Sequence, residues 1–131
     1  MLRLLNIRNF VIVDHMEVEF DNGFTVLTGE TGAGKSILID ALSLALGERS
    51  DAAQVRNGSK CAEISAEFDI RNYPELQEWL QENDLEGKED ERNVCLVRRV
   101  IEAGGRSRSF INGCMTTLQQ LRILGRKLVD I

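Results

Sequence analysis

Phe24-Thr25-Val26-Leu27-Thr28-Gly29-Glu30-Thr31-Gly32-Ala33-Gly34-Lys35-Ser36-Ile37-Leu38-Ile39-Asp40-Ala41-Leu42 is the stretch that decides the fold. At its centre, Gly29 to Ser36 fit the pattern G-x-x-x-x-G-K-[ST] of a phosphate-binding loop. Glycines let the backbone turn its N–H groups onto phosphate oxygens, the lysine reaches the terminal phosphates, and the hydroxyl joins a Mg²⁺ shell. An apolar, strand-like run precedes the loop and a helical one follows, which is the order such a loop requires. A merely flexible glycine-rich turn leaves both flanks unexplained.

From Ser36 to Gly47 the polar positions Ser36, Asp40 and Ser43 fall on one narrow stripe, with apolar residues almost everywhere else. That pattern predicts a helix buried against a sheet. Its N-terminus, with free N–H groups and the positive end of the dipole, would face the phosphates. Gly47 suits the left-handed position that ends it.

With 131 residues, 43% hydrophobic and 28% charged, the chain has the size and composition of one globular domain. Arg3, Asn6 and Arg8 break every early apolar run, so neither a signal peptide nor a membrane span is predicted, and a cytoplasmic protein is expected. Cys61, Cys95 and Cys114 are odd in number and far apart, which predicts free thiols rather than a metal site or disulfides. The single His15 lies in an alternating stretch and reads as an ordinary edge residue. The net charge of −5 is uneven: residues 1–93 hold nine Lys/Arg against nineteen Asp/Glu, and residues 94–131 hold seven against two. A local basic surface in an acidic chain is therefore expected.

Residues 2–10 and 11–20 read as paired strands, and Asp21-Asn22-Gly23 as a turn into a central strand, Phe24 to Thr28. Residues 48–60 are polar and irregular. Cys61 to Ile70 alternates strictly, as an antiparallel strand with one buried face does. Pro74 opens a short helix carrying Leu76, Trp79 and Leu80, and Glu86 to Asn93 is a solvated connection. Val94 to Ile101 and Ser107 to Asn112 form a hairpin about Glu102-Ala103-Gly104-Gly105. Thr117 and Gln120 make a capping box for a helix with Leu118, Leu121, Leu124 and Leu128, and Val129-Asp130-Ile131 reads as the start of another buried strand.

These motifs carry a resemblance. Asn9-Phe10, the run Thr28 to Ile37, Asp40-Ala41-Leu42, Leu46-Gly47, Val55-Arg56-Asn57-Gly58, Arg98-Arg99, Gly105-Arg106-Ser107-Arg108 and Phe110-Ile111-Asn112-Gly113 together resemble the N-terminal part of the RecN family of bacterial DNA repair proteins. That family is similar to the SMC ATPases, whose heads are of the ABC type. The resemblance implies an α/β phosphate-loop NTPase fold, specifically the N-terminal lobe of an SMC-like head with a mixed sheet and an antiparallel subdomain. One domain over residues 1–131 is implied, with the phosphate loop at 29–36, antiparallel strands over about 61–113 and a C-terminal helix over about 117–128. Further chain is expected past Ile131.

The resemblance also implies ATP and Mg²⁺ as ligands. Gly29, Glu30, Thr31, Gly32, Ala33, Gly34, Lys35, Ser36 and Ile37 would hold the nucleotide, with Lys35 as the catalytic cation and Ser36 as the Mg²⁺ ligand. Asn9 and Phe10 stand where the family's first strands approach the nucleotide; for Phe10, simple core packing is the competing reading. Arg56 matches a loop arginine that couples DNA contact to the ATP site, against a surface ion pair as the plain alternative. Arg98, Arg99, Arg106 and Arg108 would follow a DNA backbone or else line a solvated strand face.

The family's Walker B carboxylates, signature motif and γ-phosphate-sensing glutamine match nothing in this chain. Hydrolysis is therefore expected only with the C-terminal lobe of the same head and on dimerisation with a second head. The implied setting is cytoplasmic, nucleoid-associated double-strand break repair, with DNA bound independently of sequence and no membrane partner. Two alternatives stay open: another phosphate-loop enzyme, a GTPase or kinase, although no N-K-x-D guanine-reading motif is present, and a non-catalytic module whose assembly nucleotide gates.

Overall fold

β1 (Leu2–Phe10) and β2 (Val13–Glu19) open a computed structural model that describes residues 1–20 and 32–129. Their register runs from Leu4 opposite Glu19 to Phe10 opposite Val13. The expected turn at 21–23, the central strand Phe24 to Thr28, and Gly29, Glu30 and Thr31 lie outside the described residues, as do Asp130 and Ile131. After α1 (Gly32–Ala45) come β3 (Cys61–Asp69), α2 (Pro74–Glu82), β4 (Val94–Glu102), β5 (Ser107–Ile111), β6 (Cys114–Thr116) and α3 (Leu118–Val129). The strands form one sheet in the order β2-β1-β3-β4-β5-β6, antiparallel throughout among the described residues.

Period-two alternation decides which face of this sheet is dry. Ala62, Ile64, Ala66 and Phe68 of β3 are buried, and Cys95, Val97 and Ile101 of β4 continue the same layer. Leu38, Ala41, Leu44 and Ala45 of α1 close over them, joined by Leu121, Leu124 and Leu128 of α3. Each fully buried Leu, Ile or Val side chain among them contributes about 2 kcal/mol.

α1 buries less of its surface than its apolar sequence predicts. Ile39 is 63% exposed, and Lys35, Ser36 and Asp40 share its open face. Gly47 ends the helix region as expected, with φ +108°.

The helix α3 starts at its capping box: Gln120 N–H donates to Thr117 Oγ1 at 3.1 Å, and Thr117 N–H donates to Gln120 Oε1 at 3.1 Å. Val129 is the last residue of α3 rather than the first of a strand. The strand β6 was not expected. Asn112 (φ +51°) and Gly113 (φ +82°) supply the two left-handed residues of a tight hairpin turn between β5 and β6. Among the described residues no helix is long and apolar enough to cross a membrane.

Candidate nucleotide site and its supports

The lysine and serine of the motif sit in the first turns of α1, and both are exposed. The first four N–H groups of an α-helix, here those of Gly32 to Lys35, have no partner within the helix. No acidic side chain stands in that first turn to compete for them. With the dipole's positive end and the Lys35 ammonium, the arrangement favours an anion with several oxygens. Ile37 is half-buried and Leu38 buried, so the core grips the helix directly behind the polar end.

A Mg²⁺ ion fits the same place. The described residues hold no group of three His, Cys, Asp or Glu able to bind a metal alone. A hard cation here would combine the Ser36 hydroxyl with phosphate oxygens and water, the manner in which Mg²⁺ is usually held beside nucleotides.

The turn between β1 and β2 is fastened to the segment that carries Arg56. Arg56 N–H donates to Asn9 O at 2.8 Å, Val11 N–H donates to Gln54 O at 2.7 Å, and Phe10 bridges Val55. Asn9 and the β-branched Val11 both take positive φ, +51° and +55°, a costly conformation held by these flanking bonds. Phe10 is 0% exposed, so its ring packs in the core and does not face a ligand, contrary to its candidacy as a nucleotide contact. Asn9 is half-buried beside it. Arg56 Nη1 lies 3.3 Å from Asp14 Oδ1 with both side chains well exposed, which is the surface pair named as its plain alternative.

Of the four arginines expected together on the β4–β5 hairpin, Arg99 stands apart. Adjacent strand residues point to opposite faces, so Arg98 and Arg99 part company. Arg98 pairs with Glu63 on the outer face and lies 4.8 Å over the Phe110 ring. Arg108 is 3.7 Å from Glu102, and Arg106 is exposed beside the turn.

Arg99 is 1% exposed and is withdrawn as a DNA contact. Its Nη1 donates to Leu44 O at 2.8 Å and to Glu48 O at 2.7 Å, and its Nη2 donates to Ser107 Oγ at 3.2 Å. Burial first, and then the neighbouring Arg122 charge, push its pKa below the ordinary arginine value.

A second guanidinium holds the same helix end. Arg122 Nε donates to Gly47 O at 2.9 Å. Gly125 lies so close to α1 that an added Cβ would meet Leu46 O at 2.3 Å. A groove of about 700 Å³ runs here past Ser43, Glu48, Arg122 and Arg126, at the far end of α1 from Lys35. Sequence reasoning missed this clamp, although two signals were present: an arginine on the buried period of β4, and a glycine inside an amphipathic helix.

A family described as an AAA domain matches residues 2–126. The chain belongs to that family. It is 48% identical over 132 residues to the DNA repair protein RecN of Vibrio cholerae, covering 100% of this chain and 23% of that protein. RecN of Bacillus subtilis is 40% identical over 131 residues, covering 100% of this chain and 22% of the relative. The chain thus spans less than a quarter of these curated relatives and matches their N-terminal region.

Among solved structures, one concerned with ATP-driven dimerization and DNA-stimulated activation of SMC ATPases superposes with TM-score 0.71 at 22% identity, over 94% of this chain and 76% of that one. The SMC head domain from Thermotoga maritima gives TM-score 0.66 at 19% identity, over 93% and 41%. The fold is that of the N-terminal lobe of an SMC-like, ABC-type ATPase head.

Proposed function

We propose that this chain is the nucleotide-holding lobe of an SMC-like ATPase head, binding ATP·Mg²⁺ through Gly29 to Ile37. The observation that carries this reading is the placement of Lys35 and Ser36, exposed at the N-terminus of α1 with no acidic residue in its first turn. In this reading Lys35 neutralises charge on the β and γ phosphates, the backbone N–H groups of Gly32, Gly34, Lys35 and Ser36 orient them, and Ser36 ligates Mg²⁺. The Mg²⁺ ion supplies further neutralisation of the phosphate oxygens.

Turnover needs a carboxylate to activate water and a second set of contacts to the γ-phosphate. We assign both to the C-terminal lobe of the same head and to a second head, with DNA break repair as the setting. Sequence-independent DNA contact belongs to the complete protein, and Arg56, Arg98, Arg106 and Arg108 remain candidates for it. The similarity to RecN proteins, at 40–48% identity for the Bacillus and Vibrio members, supports this assignment.

Two assays test the reading. In a binding titration the chain should take ATP·Mg²⁺ in preference to GTP·Mg²⁺, and equal or reversed preference would favour a GTPase. Steady-state phosphate release by the chain alone should stay at background and rise when the C-terminal lobe is added. Robust turnover by the chain alone would refute the division of labour.

A further inference from the structure

The buried guanidinium of Arg99 sits among apolar neighbours on its own strand, Cys95, Val97 and Ile101. Its Nε is buried without a hydrogen-bond partner. A buried charge with an unpaired donor is a poor way to gain stability, because apolar side chains of similar volume serve as well or better. What such a group supplies is a fixed geometry. Arg99 joins Leu44 O inside α1 and Glu48 O just beyond it to Ser107 Oγ on the neighbouring strand β5. Arg122 on Gly47 O and Gly125 against Leu46 hold the same five-residue stretch, 44–48, from α3.

We propose that Arg99 is a positioning residue for the nucleotide site: by locking the C-terminal end of α1 to β4 and β5, it sets where Lys35 and Ser36 stand at the other end. A regular helix moves as one body, so a shift at Leu44 reaches Ser36 eight residues away, roughly 12 Å along the axis. Arg99 thereby adds directed hydrogen bonds to the apolar packing that already couples the sheet to α1. This inference rests on the nucleotide-binding reading above.

The test compares the chain with Arg99→Lys, Arg99→Met, Lys35→Ala and Leu80→Ala. Leu80 is a buried residue of α2 and serves as the control for lost stability alone. ATP·Mg²⁺ affinity is titrated well below each melting temperature, and amide hydrogen exchange is followed along α1. Arg99→Met should bind about tenfold more weakly, within the range that remote packing contacts change affinity. Arg99→Lys should recover part of the loss, and Leu80→Ala should bind as the parent does. Exchange should rise at 35–39 as well as at 44–48 in both Arg99 variants.

Unchanged affinity in Arg99→Met and Arg99→Lys overturns the inference, as does an equal loss in Leu80→Ala. Faster exchange confined to 44–48 reduces Arg99 to a local cap and overturns it too. If Arg99→Met does not fold, Arg99→Lys decides on the same criteria. Failure of the parent chain to bind ATP, or full binding by Lys35→Ala, defeats the nucleotide reading instead, and the exchange pattern at 35–39 still decides the positioning of α1.

Discussion

Asn112 holds Leu96 twice: its backbone N–H donates to Leu96 O at 2.8 Å, and its side-chain Oδ1 accepts from Leu96 N–H at 2.9 Å. The Nδ2 of the same side chain donates to Leu85 O at 2.7 Å. One residue with positive φ thus closes β4 onto the β5–β6 turn and ties in the connection after α2. Asn112→Ala should destabilise the chain by about 2–3 kcal/mol, from two lost hydrogen bonds near 1 kcal/mol each and the cost of a left-handed alanine. Asn112→Asp keeps the acceptor but sets a carboxylate against Leu85 O, so it should rescue little. The urea midpoints of the three proteins check this.

Gly125→Ala gives the opposite sign from helix propensity. Alanine is intrinsically better in a helix by about 1 kcal/mol, yet its Cβ would stand 2.3 Å from Leu46 O. Backbone cannot yield cheaply, so a net loss of about 1–3 kcal/mol is expected. Gly104→Ala, whose Cβ meets nothing within 4 Å, should be close to neutral in the same thermal melts.

The three thiols should separate by reactivity. Burial pushes the Cys95 thiol up to about 12, while Cys114 is exposed and Cys61 half-buried. Because the thiolate is the nucleophile, a disulfide reagent at neutral pH should label Cys114 first and Cys61 more slowly. Cys95 should react only when denaturant is added. Early labelling of Cys95, read by mass spectrometry, would contradict the packing of β4.

Asp69 supplies a pH signature. The Arg71 side chain hydrogen-bonds its carboxylate, Arg71 N–H adds a backbone bond, and the carboxyl is held below the usual aspartate range. A depressed folded-state pKa gives stability that is present above the unfolded value of about 3.9 and lost as pH falls through the folded value. Parent and Asp69→Asn should therefore differ in urea midpoint at neutral pH. Their gap should close on acidification below the ordinary aspartate value.

Much of the scaffold was legible because local patterns were unambiguous. Ala62, Ile64, Ala66 and Phe68 alternate without fault, and Thr117 with Gln120 marks the start of α3 through reciprocal bonds that the structure contains. The motif residues Lys35 and Ser36 could be placed at a helix start from sequence alone. Elsewhere tertiary context decided. Asn112-Gly113 is a strong hairpin signal, but only three residues separate it from the capping box of α3, and the β6 they form shows no alternation. Val129 continues an apolar stripe whose period is too short to separate helix from strand. Arg99 was grouped by charge with Arg98, whereas strand geometry sends the two to opposite faces. Phe10 was a nucleotide candidate only by its match to the family's first strands, and the bridge to Val55, in a segment distant in sequence, favours the competing reading of core packing.

The most direct test of the central claim is the affinity of the chain for ATP·Mg²⁺ beside that of Lys35→Ala, measured by equilibrium titration with both proteins folded. Removing a charge-assisted contact to phosphate should weaken binding by at least about tenfold. Equal affinities in the two proteins, or no binding by the parent chain, would contradict it.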